Sequence, residues 1–400
     1  PSKGTESRTS EEIARLLDGN GMRFGAKSNY DFVSSAIQCV KDDTPQAVEL
    51  FSDILRNPSF PIDEIRHERP RVLSAINIRE DRSPPATMRR FRERLLSPGP
   101  YGRTIEGSRE TVMELTQRDL AEAHREVFLP ENMVVTVVGD ISFEKARDLV
   151  EKHFGDLEPQ PRTMATASKN YRPSADREFF ERDVEQGFIA TGVTTCPATH
   201  EDDPAVAVAT AVLGQGMSSR FFRELRDKQG LAYQVGASAV SYENAGIFVA
   251  FIGTTPKAVC QSIERTEANP KEKYFEYGMS PLEWASAALW EQVEILREDP
   301  VPPDELDRAK AYLIGGFLRG LEANAQQAQF LAWCHVMGHG LEYMDRYPDM
   351  IRNVTSRDIM RVANKYFIEP TTVILKPEGK DEPCWDEDEE KLKSITEQSL

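Results

Sequence analysis

The chain carries two copies of one pattern. Thr44-Pro-Gln-Ala47-Val48 returns as Thr255-Pro-Lys-Ala258-Val259, and Asp63-Glu64-Ile65 returns as Asp304-Glu305-Leu306. Thr116-Gln-Arg118-Asp119-Leu120 returns as Thr355-Ser-Arg357-Asp358-Ile359. Each member of this last pair precedes a helical pattern, a stop at Phe128-Leu-Pro130 or Phe367-Ile-Glu-Pro370, and a β-type run. Offsets of roughly 211 residues for the first pair and roughly 240 for the others indicate a duplicated domain rather than a solenoid. The change of offset places an insertion of roughly 30 residues between Cys260 and Pro303. Lys271-Glu-Lys-Tyr-Phe-Glu-Tyr277 within it has no counterpart in the first half. Four hundred residues suit two domains of roughly 200 each. Both halves alternate strand patterns with paired helices, so the expected class is α+β, each domain a mainly antiparallel sheet with helices on one face.

Local signals fill in this frame. Ser10 reads as the cap of a helix that ends at Gly19 and Gly21. Phe32–Val40 reads as a strand and Thr44–Leu55 as an amphipathic helix. Ile62–Ile78 is a second helix, opened by Asp63-Glu64 at the positive end of its dipole and expected to kink or break at Pro70. Met88–Leu96 is helical, Pro98–Gly107 a loop, Thr116–Phe128 a capped helix, Asn132–Gly139 a β run and Phe143–Phe154 a helix. Periodicity is lost from Leu157 to Ser174. The expected organisation is a first domain over 1–160, a linker over 161–178, a second domain over 179–378 with its insertion near 261–302, and an acidic tail over 379–400.

A net charge of −17 argues against charge-driven nucleic-acid binding and is compatible with attraction of basic peptides. No stretch is apolar for long enough to span a membrane. The five cysteines, at 39, 196, 260, 334 and 384, are scattered and odd in number. They form neither a disulfide framework nor a cysteine-based zinc site.

The stretch that carries chemistry is Leu213–Ala237. Gly214-Gln-Gly216 is a turn, Ser218-Ser219-Arg220 opens a helix with Phe221, Phe222 and Leu225 on its apolar side, and Gly230 stops that helix before a strand. Arg226 near the helix end and Tyr233 at the strand would offer a guanidinium and a phenol to peptide carbonyls. The plainer alternative is a helix-to-strand corner in which the tyrosine packs and the arginine caps carbonyls. Elsewhere, His335-Val-Met-Gly-His339 has the i, i+4 spacing of metal ligands but lacks a Glu between them and a third ligand, so core or surface histidines are expected. His67 and His153 read as solvated helix residues, and Cys334 beside Trp333 as a small buried hydrophobe. Gly214-x-Gly216 lacks the remainder of a dinucleotide fingerprint.

The duplication together with the Arg226/Tyr233 pair resembles the pitrilysin (insulinase-like) metallopeptidases, especially their bacterial short-chain members and the mitochondrial processing peptidase subunits. The resemblance spans essentially the whole chain. It rests most on Gly216-Met-Ser-Ser-Arg220, the Arg226-to-Tyr233 spacing, Arg308-Ala-Lys310-Ala-Tyr-Leu-Ile-Gly315 and Leu341-Glu-Tyr-Met-Asp345-Arg-Tyr347-Pro. It implies a clamshell of two homologous domains around an extended peptide, with Arg226, Tyr233, Ser218 and Ser219 on the substrate. It also implies a zinc-binding His-x-x-Glu-His helix leading into the segment matched by Ser2-Lys3-Gly4-Thr5, which puts that motif upstream of Pro1. The family's third ligand, a Glu on the later helix that carries Glu68, falls on Ala75. The nearest acidic residue, Glu80, lies on another helical face.

What the resemblance implies is a chain without zinc of its own, which binds extended peptide and works with a homologous zinc-bearing subunit or as a homodimer. A complete zinc endopeptidase with its motif upstream, and a structural core subunit like those of the respiratory bc1 complex, are the alternatives. Bacterial cytoplasm, periplasm and mitochondrial matrix are all compatible with the sequence.

Overall fold

A computed structural model describes residues 2–158, 175–265 and 279–382. The Lys271–Tyr277 segment, most of the expected linker and most of the acidic tail lie outside these residues. The first helix, α1 (Ser10–Gly19), is opened by a capping box in which Thr9 and Glu12 satisfy each other's backbone N–H groups. The cap is therefore Thr9 rather than Ser10. Strands β1 (Arg23–Ser28) and β2 (Val33–Gln38) form an antiparallel hairpin, and α2 (Thr44–Arg56) follows. The next helix, α3 (Ile62–Asp81), continues through Pro70 instead of breaking there. After it come α4 (Ser83–Leu96), α5 (Arg109–Glu114), α6 (Gln117–Val127) and α7 (Phe143–Phe154).

The second half runs β3 (Arg177–Arg182), β4 (Gly187–Thr195), α8 (Asp203–Gly214), a π-helix (Phe221–Lys228), β5 (Gln234–Ser241) and β6 (Gly246–Thr254). It continues with α9 (Pro256–Arg265), α10 (Pro281–Glu298), α11 (Pro303–Arg319), α12 (Asn324–Val336), α13 (Tyr343–Asn353), α14 (Ser356–Tyr366) and β7 (Thr371–Pro377). The described chain is thus α+β.

The duplication is visible in local geometry. Thr116/Asp119 and Thr355/Asp358 form matching capping boxes on α6 and α14, and both helices end on a phenylalanine of similar backbone angles, Phe128 and Phe367. Ile54-Leu55-Arg56 at the end of α2 returns as Ile295-Leu296-Arg297 at the end of α10, so the offset change falls between α9 and α10. A further copy emerges from the structure. Gly4-Thr-Glu-Ser7-Arg8 before α1 matches Gly216-Met-Ser-Ser219-Arg220 before the π-helix, both glycines having positive φ.

One compact unit gathers the described residues within 1–79, 103–168 and 315–347. Its core packs Ile13, Leu50 and Ile54 with Leu16, Leu17, Phe24 and Ile37. Arg8 is tied to Asp53 at 2.6 Å and Glu49 at 2.8 Å. The run 133–139 is not a strand, contrary to its sequence pattern. A strand exists only in a ladder, and none of the described strands lies beside this run; Thr136 instead donates its hydroxyl to the Ala328 carbonyl at 2.9 Å. Its counterpart β7 is a strand because it has β3 and β4 on either side.

The other unit comprises the described residues within 80–102, 169–314 and 348–400. Its sheet has the order β3-β7-β4-β6-β5, antiparallel except for the β3–β7 pair. Successive residues of a strand face opposite sides. Arg177 of β3 reaches Glu283 of α10, while Glu178 reaches Arg90 of α4 at 2.7 Å, so α10 and α4 cover opposite faces. Leu282, Leu289, Val293 and Leu296 of α10 are fully buried, each contributing about 1.5–3 kcal/mol. Phe248 of β6 stacks on Phe367, 4.3 Å between centroids. At the start of α8, fully buried Asp202 accepts bonds from Lys365 (2.8 Å), Tyr366 (2.8 Å) and Arg361.

Candidate peptide-binding site

The segment from α8 to β5 is shaped by contacts that sequence patterns do not reveal. At the end of α8, a Cβ on Gly214 would lie 2.2 Å from the Ala237 nitrogen, so only glycine allows the helix to meet β5 this closely. The chain then turns at Gly216, whose φ of 83° suits glycine. Ser219 is buried and donates its hydroxyl to the Gly216 carbonyl at 2.8 Å, while Ser218 is exposed. Arg220 forms a forked pair with Glu305 in the first turn of α11, with Nε–Oε1 at 2.9 Å and Nη2–Oε2 at 3.0 Å.

The helix that follows is a π-helix, a rare form frequently met at functional sites. Its backbone shows the wide spacing, Gln229 N–H donating to the Glu224 carbonyl and Leu231 N–H to the Leu225 carbonyl. Phe221 and Leu225 are fully buried and hold it to the unit. Arg226 projects from its last turn into solvent, its guanidinium 4.6 Å from the Phe222 ring centre. That stacking orients the guanidinium plane and leaves its N–H donors unused by any hydrogen bond or ion pair among the described residues. Tyr233 is 76% exposed, unusual for an aromatic residue at the start of a strand. Its backbone N–H donates to the Gly253 carbonyl, which fixes the base of the side chain. The packing tyrosine and carbonyl-capping arginine of the plainer alternative are not what these side chains do here.

The zinc-site residues fare differently. Ala75 is exposed on α3, and a methyl group offers no ligand. Glu80 is bound to Arg89 at 2.6 Å and to Arg182 at 3.6 Å, so its oxygens are engaged. Glu68 pairs with Lys3 at 3.0 Å and Arg71 at 2.7 Å, and the ammonium of Lys3 is the stronger influence holding its carboxyl below the usual range. Among the described residues no three His, Cys, Asp or Glu side chains converge to hold a metal, so the donors present do not fit zinc. His335 and His339 do not share a helix face as their spacing suggests, because α12 ends at Val336. His339 stacks instead on Tyr343, 4.0 Å between centroids, and burial lowers its pKa.

The cysteines hold one surprise. Cys39, Cys196 and Cys334 are free, but Cys260 on α9 is disulfide-bonded, so the scattered spacing concealed a bond. Burial pushes the thiols of Cys196 and Cys334 up to about 12 and about 11, which leaves them unreactive.

Comparison with known proteins places these features in a family. A family described as Insulinase (Peptidase family M16) matches residues 2–108, and one described as Peptidase M16 inactive domain matches residues 114–313. An uncharacterized zinc protease of Mycobacterium leprae is 30% identical over 259 residues, covering 64% of this chain and 58% of that protein. A zinc protease of Helicobacter pylori is 24% identical over 382 residues, covering 94% of this chain and 81% of its own length. A crystal structure of a protease from Helicobacter pylori shares the fold with a TM-score of 0.80 and 24% identity, over 94% of this chain and 87% of that one. A peptidase M16 inactive domain from Pseudomonas fluorescens does so with a TM-score of 0.82 and 20% identity, over 96% and 87%. The chain belongs to the M16, or insulinase, family of peptidases.

Proposed function

We propose that this chain is a non-catalytic member of the family that binds extended peptides and complements a homologous zinc-bearing subunit in proteolysis. The observation that carries the reading is a contrast within the chain. Arg226 and Tyr233 stand exposed, their side chains without a hydrogen bond or ion pair among the described residues, while the position expected to supply the third zinc ligand is Ala75. In this reading Arg226 and Tyr233 donate hydrogen bonds to peptide carbonyls and hold the chain extended. Zinc, supplied by the partner, provides the Lewis acid and activated water. The sheet supports an extended ligand. Outer strand β3 has charged residues at both ends, Arg177-Glu178 and Glu181-Arg182, whereas outer strand β5, QVGASAVS, has no charge and no proline. Natural sheets guard an edge with such residues, and an unguarded one accepts an added strand. The reading extends to the two-domain organisation expected from the sequence, with peptide held by the second domain.

The test is the cleavage of a basic, unstructured peptide by the chain mixed with its zinc-bearing homologue. Tyr233→Phe and Arg226→Ala should each lower the rate at least about tenfold, the scale of losing a charged or transition-state hydrogen bond, with both chains still folded. Unchanged rates in both variants would remove the assigned role. One observation favours a second reading, a complete zinc metalloendopeptidase. The relatives are named zinc proteases, and the chain spans only 58% of the Mycobacterium leprae protein. Stoichiometric zinc on the natural polypeptide, with cleavage in the absence of any partner, would establish it.

A further inference from the structure

We infer that Arg220 is a positioning residue for peptide recognition: its forked pair with Glu305 sets the register of the π-helix and so the direction of Arg226. The inference rests on the peptide-binding reading of Arg226 and Tyr233. Its basis is how the π-helix is held. A π-helix is not favoured by its own hydrogen bonds, so its register depends on what anchors its ends. The C-terminal end is fixed by Leu231 N–H on the Leu225 carbonyl at 2.8 Å, and by the Thr254 hydroxyl on the Leu231 carbonyl at 2.5 Å. The N-terminal end is fixed by Arg220, the residue immediately before Phe221. Its side chain is 12% exposed and that of Glu305 is 11% exposed. The two guanidinium nitrogens facing Glu305 meet both carboxylate oxygens, the geometry in which arginine cannot be replaced by a point charge. Gly216 adds a second contact with α11, because a Cβ there would lie 3.3 Å from the Tyr312 ring.

The copy in the first half sharpens the case. Arg8, the counterpart of Arg220, also pairs with acidic groups, Asp53 and Glu49, but the helix after it is an ordinary α-helix with its own capping box. There the helix has an intrinsic start signal. The π-helix has no side-chain cap, so the Arg220 anchor takes the place of one.

The experiment is a double-mutant cycle on the full chain, read as the affinity for a fluorescein-labelled, basic, unstructured peptide. Arg220→Lys keeps the charge and loses the fork, and Glu305→Gln is a second variant that loses the charge. Each is expected to weaken binding about tenfold, with the melting temperature lowered by only a few degrees. Arg220→Lys combined with Arg226→Ala is expected to bind no more weakly than Arg226→Ala alone, because Arg220 acts through Arg226. Amide exchange across 221–230 should quicken in Arg220→Lys. Full affinity in Arg220→Lys and Glu305→Gln, or losses that add to that of Arg226→Ala, would overturn the inference while leaving the peptide site standing. Full affinity in Arg226→Ala and Tyr233→Phe would overturn the peptide site and the inference with it.

Discussion

Replacing Asp202 with asparagine tests whether the sheet-containing unit is held as described. Asp202 is fully buried just before α8, and its carboxylate receives Arg361, Lys365 and Tyr366 from α14. Burial by itself would raise its pKa, but the bonds from Lys365, Arg361 and Tyr366 outweigh burial and hold it at about 2. Against an ordinary value of 3.8, that depression corresponds to roughly 2 to 3 kcal/mol at neutral pH. Asparagine preserves the shape but removes the carboxylate charge that strengthens all three bonds. Arg361 and Lys365 are each 49% exposed and regain water, so the loss should stay near that figure and not reach the 3–5 kcal/mol of a fully stranded charge. With a urea m-value near 2 kcal/mol/M, the unfolding midpoint should fall by about 1 M at pH 7. The folded pKa is depressed, so the contribution is present above the unfolded value and is lost as pH falls through about 2. The gap between wild type and D202N should therefore hold steady from pH 7 to about 4 and then narrow. A midpoint within about 0.2 M of wild type at pH 7, or a gap that stays constant below pH 4, would refute the reasoning.

Asp203 should behave in the opposite sense. Burial raises its carboxyl to about 6, against smaller opposing effects of the Ser241 hydroxyl and His200. The folded form then favours the proton, so wild type loses stability between about pH 4 and pH 6; D203N should gain on it over that range and keep the gain to pH 8, as pH-dependent urea midpoints will report. No relative gain would contradict the assigned burial. Gly214→Ala should cost at least about 1–3 kcal/mol, because its methyl group would meet the Ala237 backbone. Thermal unfolding checks this, and a neutral substitution would mean that α8 and β5 are not in this close contact.

How much of this can be read from the sequence depends on whether the cause is local. Capping boxes at Thr116 and Thr355, the α2 amphipathic pattern and the glycine stop at Gly230 are local, and they appear where the residues place them. The run 133–139 has the composition of a strand, but strand formation needs neighbours, and composition does not supply them. The exposure of Tyr233 could not be anticipated, since a tyrosine entering a strand is usually covered. The π-helix has no start signal of its own. It depends on Glu305, 85 residues from Arg220, and no local pattern records that pairing. The duplication did hold a clue, because Arg8 and Arg220 occupy matched positions and both find carboxylates.

Division of labour with a zinc-bearing homologue is tested most directly on the natural full-length polypeptide, alone and mixed with that homologue. Bound zinc and chelator-sensitive cleavage of a basic, unstructured peptide are recorded in each case. The expected result is no zinc and no cleavage for this polypeptide alone, with cleavage in the mixture above that of the homologue by itself and lost on Tyr233→Phe. Stoichiometric zinc with cleavage by this polypeptide alone would contradict it.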